Sequence, residues 1–395
     1  MVISRRLSKR GAVDPFIVMD VMEAARAQEA QGGDVIHMEV GQPATPAPAP
    51  ALEAATRAMA AGPLGYTVAL GLPELRERIA RLYREWYGLD IPAERVVVTA
   101  GSSAGFLLAF LALFDSGDRV ATVSPGYPSY RNILHALDIE TASIQGAAEN
   151  GWRPQPAEVR AAGRIDGLLV ASPSNPTGAM LDRAALVELT AVAREAGAAF
   201  ISDEIYHGLT YGGRAVSALE VADEAIVINS FSKYFSMTGW RIGWMVVPPE
   251  LVRPIERLAQ NFFICPPHVS QVAALAALDA AEECESRLAV YARNREILLE
   301  ELPKAGFDRL APCEGAFYLY AEIDHLAADS RDFTARMLAE AGVAATPGHD
   351  FDPVRGAGTV RFSFARSTDD MIEGARRLRE WRGGSIRPSR TAAQT

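Results

Sequence analysis

The amino-acid sequence predicts an α/β protein, with a large domain built on a mainly parallel sheet and a smaller α+β domain. Short, continuous apolar runs alternate with segments of helical length, which is typical of strands in a parallel sheet covered on both faces. The runs become rare after Pro248, where a long helical stretch over about 268–300 precedes the smaller domain. The chain has 395 residues, of which 49% are hydrophobic, and this excludes a disordered chain. The predicted strands of the large domain are Val96–Thr99, Val120–Val123, Gly167–Ala171, Ala199–Ser202, Ala225–Asn229 and Ile242–Val247.

Before the first of these strands, the pattern predicts helices joined by an extended arm. Asp14-Pro15 is typical of a helix start and precedes a helical pattern over about 16–30. The proline-rich segment Ala44–Pro50 should be extended, either as a plain linker or as an arm that reaches a partner subunit. The other elements expected here are a short strand over 35–40 and helices over about 51–61 and 73–87.

The C-terminal part mixes strand-like and helical segments, which indicates an α+β arrangement. Gly315–Tyr320 and Thr359–Phe364 flank a helical pattern near 331–341. The last residues, 383–395, are polar and are expected to fray.

Charge and cysteine content exclude several classes of protein. The net charge of −10 argues against a nucleic-acid-binding protein, which usually has a basic face. No apolar run reaches the roughly 18 residues of a membrane helix, and the basic start Met1–Arg10 lacks the apolar stretch of a signal peptide. Cys265, Cys284 and Cys313 have no CxxC spacing, so neither a disulfide framework nor a zinc site is expected. These features predict a cytoplasmic protein without a metal centre.

The segments after the predicted strands are polar and rich in glycine, serine and proline. In an open α/β sheet, ligands bind outside the carboxyl ends of the strands. Ala100-Gly-Ser-Ser103 follows the first strand and offers backbone amides and hydroxyls to an anion, although Ser102 or Ser103 could equally be an ordinary helix cap. Tyr127 follows the second strand on a rigid turn, where it could stack on a flat ring or only pack.

Two further strand ends carry side chains suited to a heteroaromatic ring. Asn175 lies between prolines, so its amide is held on a stiff loop that is either a ligand contact or a simple turn. Asp203 ends a buried run and needs a partner, which a protonated pyridine nitrogen or a backbone amide would supply. Tyr206 follows three residues later and could serve another edge of the same ring.

Lys233 is the most informative residue of the chain. It follows the strand Ala225–Asn229 within Ser230-Phe-Ser-Lys233, and Arg241 comes eight residues later. A desolvated lysine has a lowered pKa and can form a Schiff base with an aldehyde, whereas the alternative is a surface lysine at a turn. The serines and Arg241 are donors suited to a phosphate. An imine-forming lysine beside a phosphate cradle is what pyridoxal 5'-phosphate requires.

Taken together, these motifs resemble the fold-type I, class I/II pyridoxal-phosphate-dependent aminotransferases of the aspartate aminotransferase superfamily. The resemblance extends from about residue 35 to about residue 365 and implies a mainly parallel seven-stranded sheet in the large domain. It also implies a division into an N-terminal segment and arm at 1–50 that joins the small domain, a large cofactor-binding domain at 51–285 and a small domain at 286–395. The matching segments are Gly41-Gln-Pro43, Gly65-Tyr-Thr67 with Gly71–Arg76, Ala100–Ser103, Asn175-Pro-Thr-Gly178, Asp203–Tyr206, Ser230–Lys233 with Trp240-Arg-Ile-Gly243, and Val360–Phe364.

The resemblance implies roles for the site residues. Lys233 would bind the cofactor aldehyde and later move the substrate proton, Asp203 would pair with the pyridine nitrogen, and Tyr206 would act with Asn175 on the phenolic oxygen. Tyr127 would stack on the ring. The residues implied at the phosphate are Gly101, Ser102, Ser103, Ser230, Arg241 and, from the neighbouring subunit of a homodimer, Tyr66. The residues implied at the substrate carboxylate are Arg361, Asn175 and the backbone of Gly41.

The implied activity is transfer of an amino group from an L-amino acid to a 2-oxo acid by a ping-pong mechanism. Neutral or aromatic donors are favoured because Gln260, Asn261 and Ser103 stand where aspartate-specific relatives keep a second cation. The alternatives are an aspartate aminotransferase, a C–S lyase with the same cofactor pocket, and a cofactor-sensing protein without enzymatic activity. Gly41-Gln-Pro43 favours transamination over lyase chemistry, and a sensing regulator would carry an added DNA-binding module, for which we expect no room.

Overall fold

The computed structural model describes residues 8–381, and its centre is a seven-stranded sheet of order β2-β8-β7-β6-β5-β3-β4. Neighbouring strands are parallel except at β8, which runs antiparallel to both β2 and β7. The strands of this sheet are β2 (Val96–Thr99), β3 (Arg119–Ser124), β4 (Glu140–Gln145), β5 (Gly167–Ala171), β6 (Ala199–Asp203), β7 (Ile226–Ser230) and β8 (Gly243–Val246). All six predicted runs are strands. The antiparallel direction of β8 was not indicated by its apolar pattern, and β4 was not among the predicted runs.

Both faces of this sheet are buried, which explains why its strands have continuous apolar sequences. In β2, Val97 packs in one cluster with Phe106 of the helix that follows, whereas Val96 and Val98 pack in a second cluster with Leu75. Successive side chains of a strand point to opposite faces, so every strand of this sheet except β4 contributes to both clusters. The mainly parallel sheet covered by helices is therefore confirmed.

The helices follow from apolar periodicity and from proline and glycine at their ends. In the third helix, Leu75, Ile79, Leu82 and Tyr83 are buried, a proline occupies the first turn, and Gly88 ends the helix with φ 72°. The helices are α1 (Ile17–Glu29), α2 (Ala49–Ala61), α3 (Pro73–Tyr87), α4 (Ser102–Leu113), α5 (Pro128–Ala136), α6 (Pro156–Ala161), α7 (Arg183–Glu195), α8 (Pro249–Phe262), α9 (His268–Ala277), α10 (Ala281–Lys304), α11 (Ser330–Arg336) and α12 (Thr368–Trp381).

Three helical predictions differ from the structure at their boundaries. The stretch predicted over 268–300 is two helices, α9 and α10, separated at 278–280. The helix predicted near 331–341 is α11 followed by a π-helical turn at Met337–Ala341. The arm predicted at Ala44–Pro50 contains bends at 44, 45 and 47 and ends at Pro48, since α2 begins at Ala49 and includes Pro50 in its first turn.

A second, antiparallel sheet of order β11-β12-β9 forms in the C-terminal part, and its central strand carries Arg361. The N-terminal strand pairs in parallel with a C-terminal one, so the first and last parts of the chain are packed together. The strands involved are β1 (Ile36–His37), β9 (Tyr318–Glu322), β10 (Val343–Ala344), β11 (Thr346–Pro347) and β12 (Thr359–Ser363). The division at 50/51 and 285/286 stays a prediction, and its second boundary falls inside α10.

The ends of the chain and its cysteines complete the description. The predicted polar tail at 383–395 and most of the basic start lie outside the described residues. Within residues 8–381, no helix is long and apolar enough to cross a membrane, and no group of three or more His, Cys, Asp or Glu side chains is placed to hold a metal ion. The three cysteines are free.

Candidate active site

A cavity of about 240 Å³ lies where the carboxyl ends of the large-sheet strands meet α1 and β12. Ten of the thirteen predicted site residues line it, and they come from segments spread over most of the chain. These ten are Gly41, Ser102, Ser103, Tyr127, Asn175, Asp203, Tyr206, Lys233, Arg241 and Arg361. The topology therefore brings together the polar segments that follow successive strands, as expected for an open α/β sheet.

Lys233 faces this cavity and is not a surface lysine. It follows β7, and its Nζ donates a hydrogen bond to the carbonyl oxygen of Gly41 at 2.6 Å. The pKa of Lys233 is lowered from 10.5 to about 8, first by burial and then by the positive charges of Arg361 and Arg241, while the carboxylate of Asp203 acts in the opposite direction. A substantial fraction of the amine is therefore neutral near pH 7.5 and able to act as a nucleophile.

Asp203 ends β6 and is 4% exposed. One carboxylate oxygen accepts the hydroxyl of Tyr130 and the other accepts the backbone N–H of Ile205 at 3.1 Å. Burial raises the pKa of Asp203 to about 6, against the opposing effects of these hydrogen bonds and of Lys233. Asp203 therefore accepts a backbone N–H, as one of the two alternatives from the sequence proposed. It also lines the cavity, where its carboxylate can pair with a cation.

Tyr130 was not predicted as a site residue. Tyr127 and Tyr130 are three residues apart across the start of α5, and their rings meet edge to face with centroids 5.3 Å apart. The sequence signal was this i, i+3 spacing at a helix start, which places two aromatic side chains on one helix face. Tyr127 is thus held in place while Tyr130 reaches the carboxylate.

The N-terminus of α4 and Arg241 lie close together in the cavity wall and form a cradle for an anion. Gly101 is the residue before α4, with φ 79°, and no side chain caps the first turn. This φ favours glycine, and a Cβ at position 101 would also lie 2.5 Å from Arg241 Nη2 and push the guanidinium away. Ser102 and Ser103 are the first residues of α4, and the reading of either as its cap is wrong. Uncapped backbone amides beside a guanidinium are a binding site for phosphate.

The hydroxyl residues of the lysine loop divide into two groups. Ser230 does not line the cavity, because its hydroxyl bonds to Ser232 Oγ at 2.8 Å and donates to Ile242 O at 3.0 Å. Ser232 and Thr238, which were not predicted, line the cavity instead. Ser230 is therefore hydrogen-bonded to a residue of the cavity wall without being part of that wall.

Arg361 is buried on β12 without a carboxylate partner among residues 8–381. Its Nη1 donates to Asn175 Oδ1 at 2.9 Å, and its Nη2 donates to the carbonyl oxygen of Glu39 and, at 3.2 Å, to Thr346 Oγ1. The guanidinium lies 4.3 Å from the ring centroid of Tyr318 and 4.6 Å from that of Phe351, while Nε has no acceptor among the described residues. A buried, oriented guanidinium with a free donor is suited to binding a carboxylate.

Tyr318, also missed by the sequence analysis, connects three predicted site residues. Its hydroxyl bonds to the hydroxyl of Tyr206 at 2.8 Å, and its ring packs under Arg361. A Cβ at Gly41 would lie 1.7 Å from the Tyr318 hydroxyl, so this backbone approach requires glycine. Tyr66 is the one predicted residue that lies apart from this assembly: it is 82% exposed between α2 and α3.

The donor set fits pyridoxal 5'-phosphate group by group. Lys233 offers an amine to the aldehyde, Asp203 offers a carboxylate to the pyridine nitrogen, and the α4 cradle offers amides and a guanidinium to the phosphate. Tyr127 also lines the cavity and offers an aromatic face to the ring.

Residues 33–378 match the family described as aminotransferase class I and II. The chain belongs to this family. A valine–pyruvate aminotransferase of Mycobacterium tuberculosis is 46% identical over 384 residues, which cover 95% of this chain and 98% of that protein. A solved structure from Silicibacter pomeroyi is 59% identical with a TM-score of 0.91, over 96% of this chain and 99% of that one. The aspartate aminotransferase of Thermus thermophilus with maleate is 34% identical with a TM-score of 0.90, over 95% and 99% of the two chains.

Membership of the class I and II aminotransferases confirms four predictions made from the sequence: the family, the fold-type I architecture, the pyridoxal phosphate cofactor and the enzymatic activity. The protein is a transaminase that acts on an amino acid and a 2-oxo acid. This outcome favours the aminotransferase hypothesis over the hypotheses of a C–S lyase and of a cofactor-sensing protein.

Proposed function

We propose that this cavity is the active site of an aminotransferase that takes the amino group from neutral L-amino acids. The observation that carries the proposal is which positively charged side chains line the cavity. Lys233, Arg241 and Arg361 are the lysine and arginine side chains that line the cavity within residues 8–381, and each has a role of its own. No second cation among these residues is left for the distal carboxylate of an acidic donor.

The cofactor, when bound, supplies an aldehyde that takes up the amino group and a ring that accepts an electron pair from the donor Cα. Lys233 would hold the aldehyde carbon, and its amine, with a pKa of about 8, is a base suited to removing the Cα proton near neutral pH. Asp203, with a pKa of about 6, is ionised at that pH and would keep the pyridine nitrogen protonated.

The remaining residues would position the cofactor and the substrate. Ser102, Ser103 and Arg241 would hold the phosphate, helped by Ser230 through Ser232. Tyr206 would donate a hydrogen bond to the phenolic oxygen of the cofactor. Its hydroxyl is held in the site by a hydrogen bond with the hydroxyl of Tyr318. Within the same site, Gly101 allows Arg241 to approach, and Tyr127 would cover the ring.

The substrate carboxylate would bind Arg361 and Asn175. The two side chains are already joined by a hydrogen bond of 2.9 Å, so the clamp is formed before the substrate arrives. Gly41, whose carbonyl accepts from Lys233, lies beside this clamp and would close over the carboxylate.

A preference for neutral donors is also supported by the residues that stand where aspartate-specific relatives keep a second cation. Gln260 and Asn261 lie at the end of α8 and are not part of the cavity lining, and Ser103, which is, is uncharged. The relative named valine–pyruvate aminotransferase is 46% identical, whereas the relatives named for aspartate are 29–35% identical. An aspartate preference remains the second candidate because several relatives carry that name.

We also propose a homodimer in which Tyr66 reaches the phosphate of the partner's site. Leu64, Tyr66 and Val68 are exposed hydrophobic side chains on one short segment, at 36%, 82% and 56% exposure. Such a cluster is typical of a surface that is covered in the assembled protein. A cytoplasmic location, expected from the unpaired cysteines, stays a prediction.

The test is a panel of donors under one set of conditions, with a 2-oxo acid such as pyruvate as acceptor. A charge-assisted hydrogen bond contributes roughly 1.5–3 kcal/mol, so a donor whose distal carboxylate finds no cation should lose about ten- to a hundredfold. We expect kcat/KM to be higher for alanine, valine, leucine or phenylalanine than for aspartate. A tenfold advantage for aspartate would overturn the donor preference, and absence of transfer from every donor would overturn the proposed activity.

A further inference from the structure

The first turn of α1 forms part of the cavity wall, although nothing in its sequence indicated a role in the site. Phe16, Val18 and Met19 line the cavity, and they are the side chains that α1 and the residue before it present there. All three are apolar. The ring of Phe16 also meets Tyr127 edge to face, with centroids 5.8 Å apart, so this turn contacts the part of the wall that would cover the cofactor.

This first turn is capped by a carboxylate from the far end of the chain. Phe16 occupies the cap position of α1 and provides no side-chain hydrogen bond. Instead, the backbone N–H groups of Ile17 and Val18 donate to Oδ1 and Oδ2 of Asp350 at 3.0 and 3.4 Å. A side-chain acceptor at this position stabilises a helix, and a negative charge there is favoured by the helix dipole.

Asp350 is itself firmly held. It is fully buried in a 3-10 turn at Gly348–Asp350, and its carbonyl oxygen accepts Arg131 Nη2 at 2.7 Å. The next residue, Phe351, packs against the guanidinium of Arg361 at 4.6 Å. One short segment therefore contacts both the carboxylate clamp and the helix turn that faces it.

We propose that Asp350 is a positioning residue that holds the first turn of α1 against the cavity, so that Phe16, Val18 and Met19 contact the donor side chain and select neutral donors. The inference rests on the proposed function, in which Arg361 fixes the donor carboxylate. When Arg361 holds the donor carboxylate and the cofactor holds the donor amino group, the donor side chain faces this apolar turn. A large neutral side chain gains contact area there, whereas a carboxylate loses water without gaining a partner.

The first test compares leucine with alanine in Asp350→Ala, which removes the carboxylate that accepts the N–H groups of Ile17 and Val18. Loss of a helix cap corresponds to roughly a 2- to 30-fold change in an equilibrium. We expect kcat/KM to fall by this factor for leucine and by less than about threefold for alanine, whose side chain ends at Cβ. Asp182→Ala is the control, because Asp182 caps α7 outside the cavity by accepting Ala185 N–H at 2.8 Å. It should leave the leucine-to-alanine ratio unchanged.

A second pair of variants does not depend on a buried residue. Met19 is 50% exposed on the cavity rim, and Met22 is 36% exposed on the same helix but is not part of the lining. Met19→Lys supplies a cation to an acidic donor and should raise the aspartate-to-leucine ratio of kcat/KM by about tenfold. This factor corresponds to the low end of the free energy of a charge-assisted hydrogen bond. Met22→Lys adds the same charge to the same helix and should leave that ratio unchanged.

Amide hydrogen exchange of the holoenzyme tests the contact without turnover. In the native protein, 4-methylpentanoate, which is leucine without its amino group, should slow exchange in the peptide that contains residues 16–20, and propanoate should not. Asp350→Ala should lose this protection. Equal protection by both acids, or equal aspartate-to-leucine ratios in Met19→Lys and Met22→Lys, would overturn the inference. Failure of the native protein to use any donor would instead overturn the proposed function, and exchange would still report on the contact.

Discussion

The surroundings of Lys233 predict that its amine is partly neutral before any cofactor binds. With a pKa of about 8 instead of 10.5, about a quarter of the amine is unprotonated at pH 7.5, compared with about one part in a thousand for an ordinary lysine. The nucleophile should therefore be more than a hundredfold more abundant than on the protein surface. Because Arg361 is the largest charge contribution to this lowering, Arg361→Met should raise the pKa of Lys233 and reduce the neutral fraction.

Competitive acetylation of the cofactor-free protein between pH 6 and 11, read by mass spectrometry, measures this directly. The chain has only three lysines, Lys9, Lys233 and Lys304, so the peptides are readily assigned. Lys304 is the internal reference, because its hydrogen bonds to Glu300 and Glu301 raise its pKa. Half-maximal labelling is expected near pH 8 for Lys233 and at a clearly higher pH for Lys304, above the midpoint of an ordinary lysine. Labelling of both lysines with the same midpoint would refute the reasoning.

The same depressed pKa has a consequence for stability. Between about pH 8 and 10.5 the unfolded chain binds a proton at Lys233 that the folded chain does not. The free energy of unfolding of the cofactor-free protein should therefore rise with pH over this window, relative to a Lys233→Met variant. A difference between the two proteins that does not change over the window would contradict the assigned pKa.

Three further predictions concern the catalytic residues and the assembly. Lys233→Ala should abolish turnover while circular dichroism stays native, and borohydride reduction of the native holoenzyme should place the pyridoxyl group on Lys233, not on Lys9 or Lys304. Asp203→Asn should reduce kcat far more than cofactor affinity, because an amide cannot keep the pyridine nitrogen charged; near-native kcat would remove Asp203 from this role. Mixing inactive Tyr66 and Lys233 variants should restore part of the activity through hybrid dimers, whereas a fully active monomer in sedimentation would exclude shared sites.

The positions of the large-sheet strands could be predicted closely because burial on both faces leaves a continuous apolar run. The run at Val96–Thr99 matches β2 at both ends. β4 was missed because it is an edge strand in which Glu140 and Ser143 are exposed, so its pattern is mixed. The antiparallel direction of β8 could not be predicted either, since an apolar run reads the same in both directions.

The candidate site was predictable where function requires a particular residue type at a strand end, and not where it depends on packing. Asp203 ends a buried strand and Lys233 follows another, and a charged residue at such a position stands out in the sequence. The contact of Tyr130 with Asp203 and that of Tyr318 with Tyr206 join residues 73 and 112 positions apart. The cap that Asp350 provides to Ile17 spans 333 positions. Local sequence carries no signal for such pairs.

The long span of these contacts determines when the site can form during synthesis of the protein. A growing chain contains Asp203 and Lys233 well before β12 and its arginine have been made. Until then, Asn175 lacks its partner and the first turn of α1 lacks its cap. Because contacts between distant segments form slowly, the carboxylate clamp should be among the last parts of the molecule to order. A chain truncated before β12 would thus keep the nucleophile and the phosphate cradle but have no means of holding an amino acid beside them.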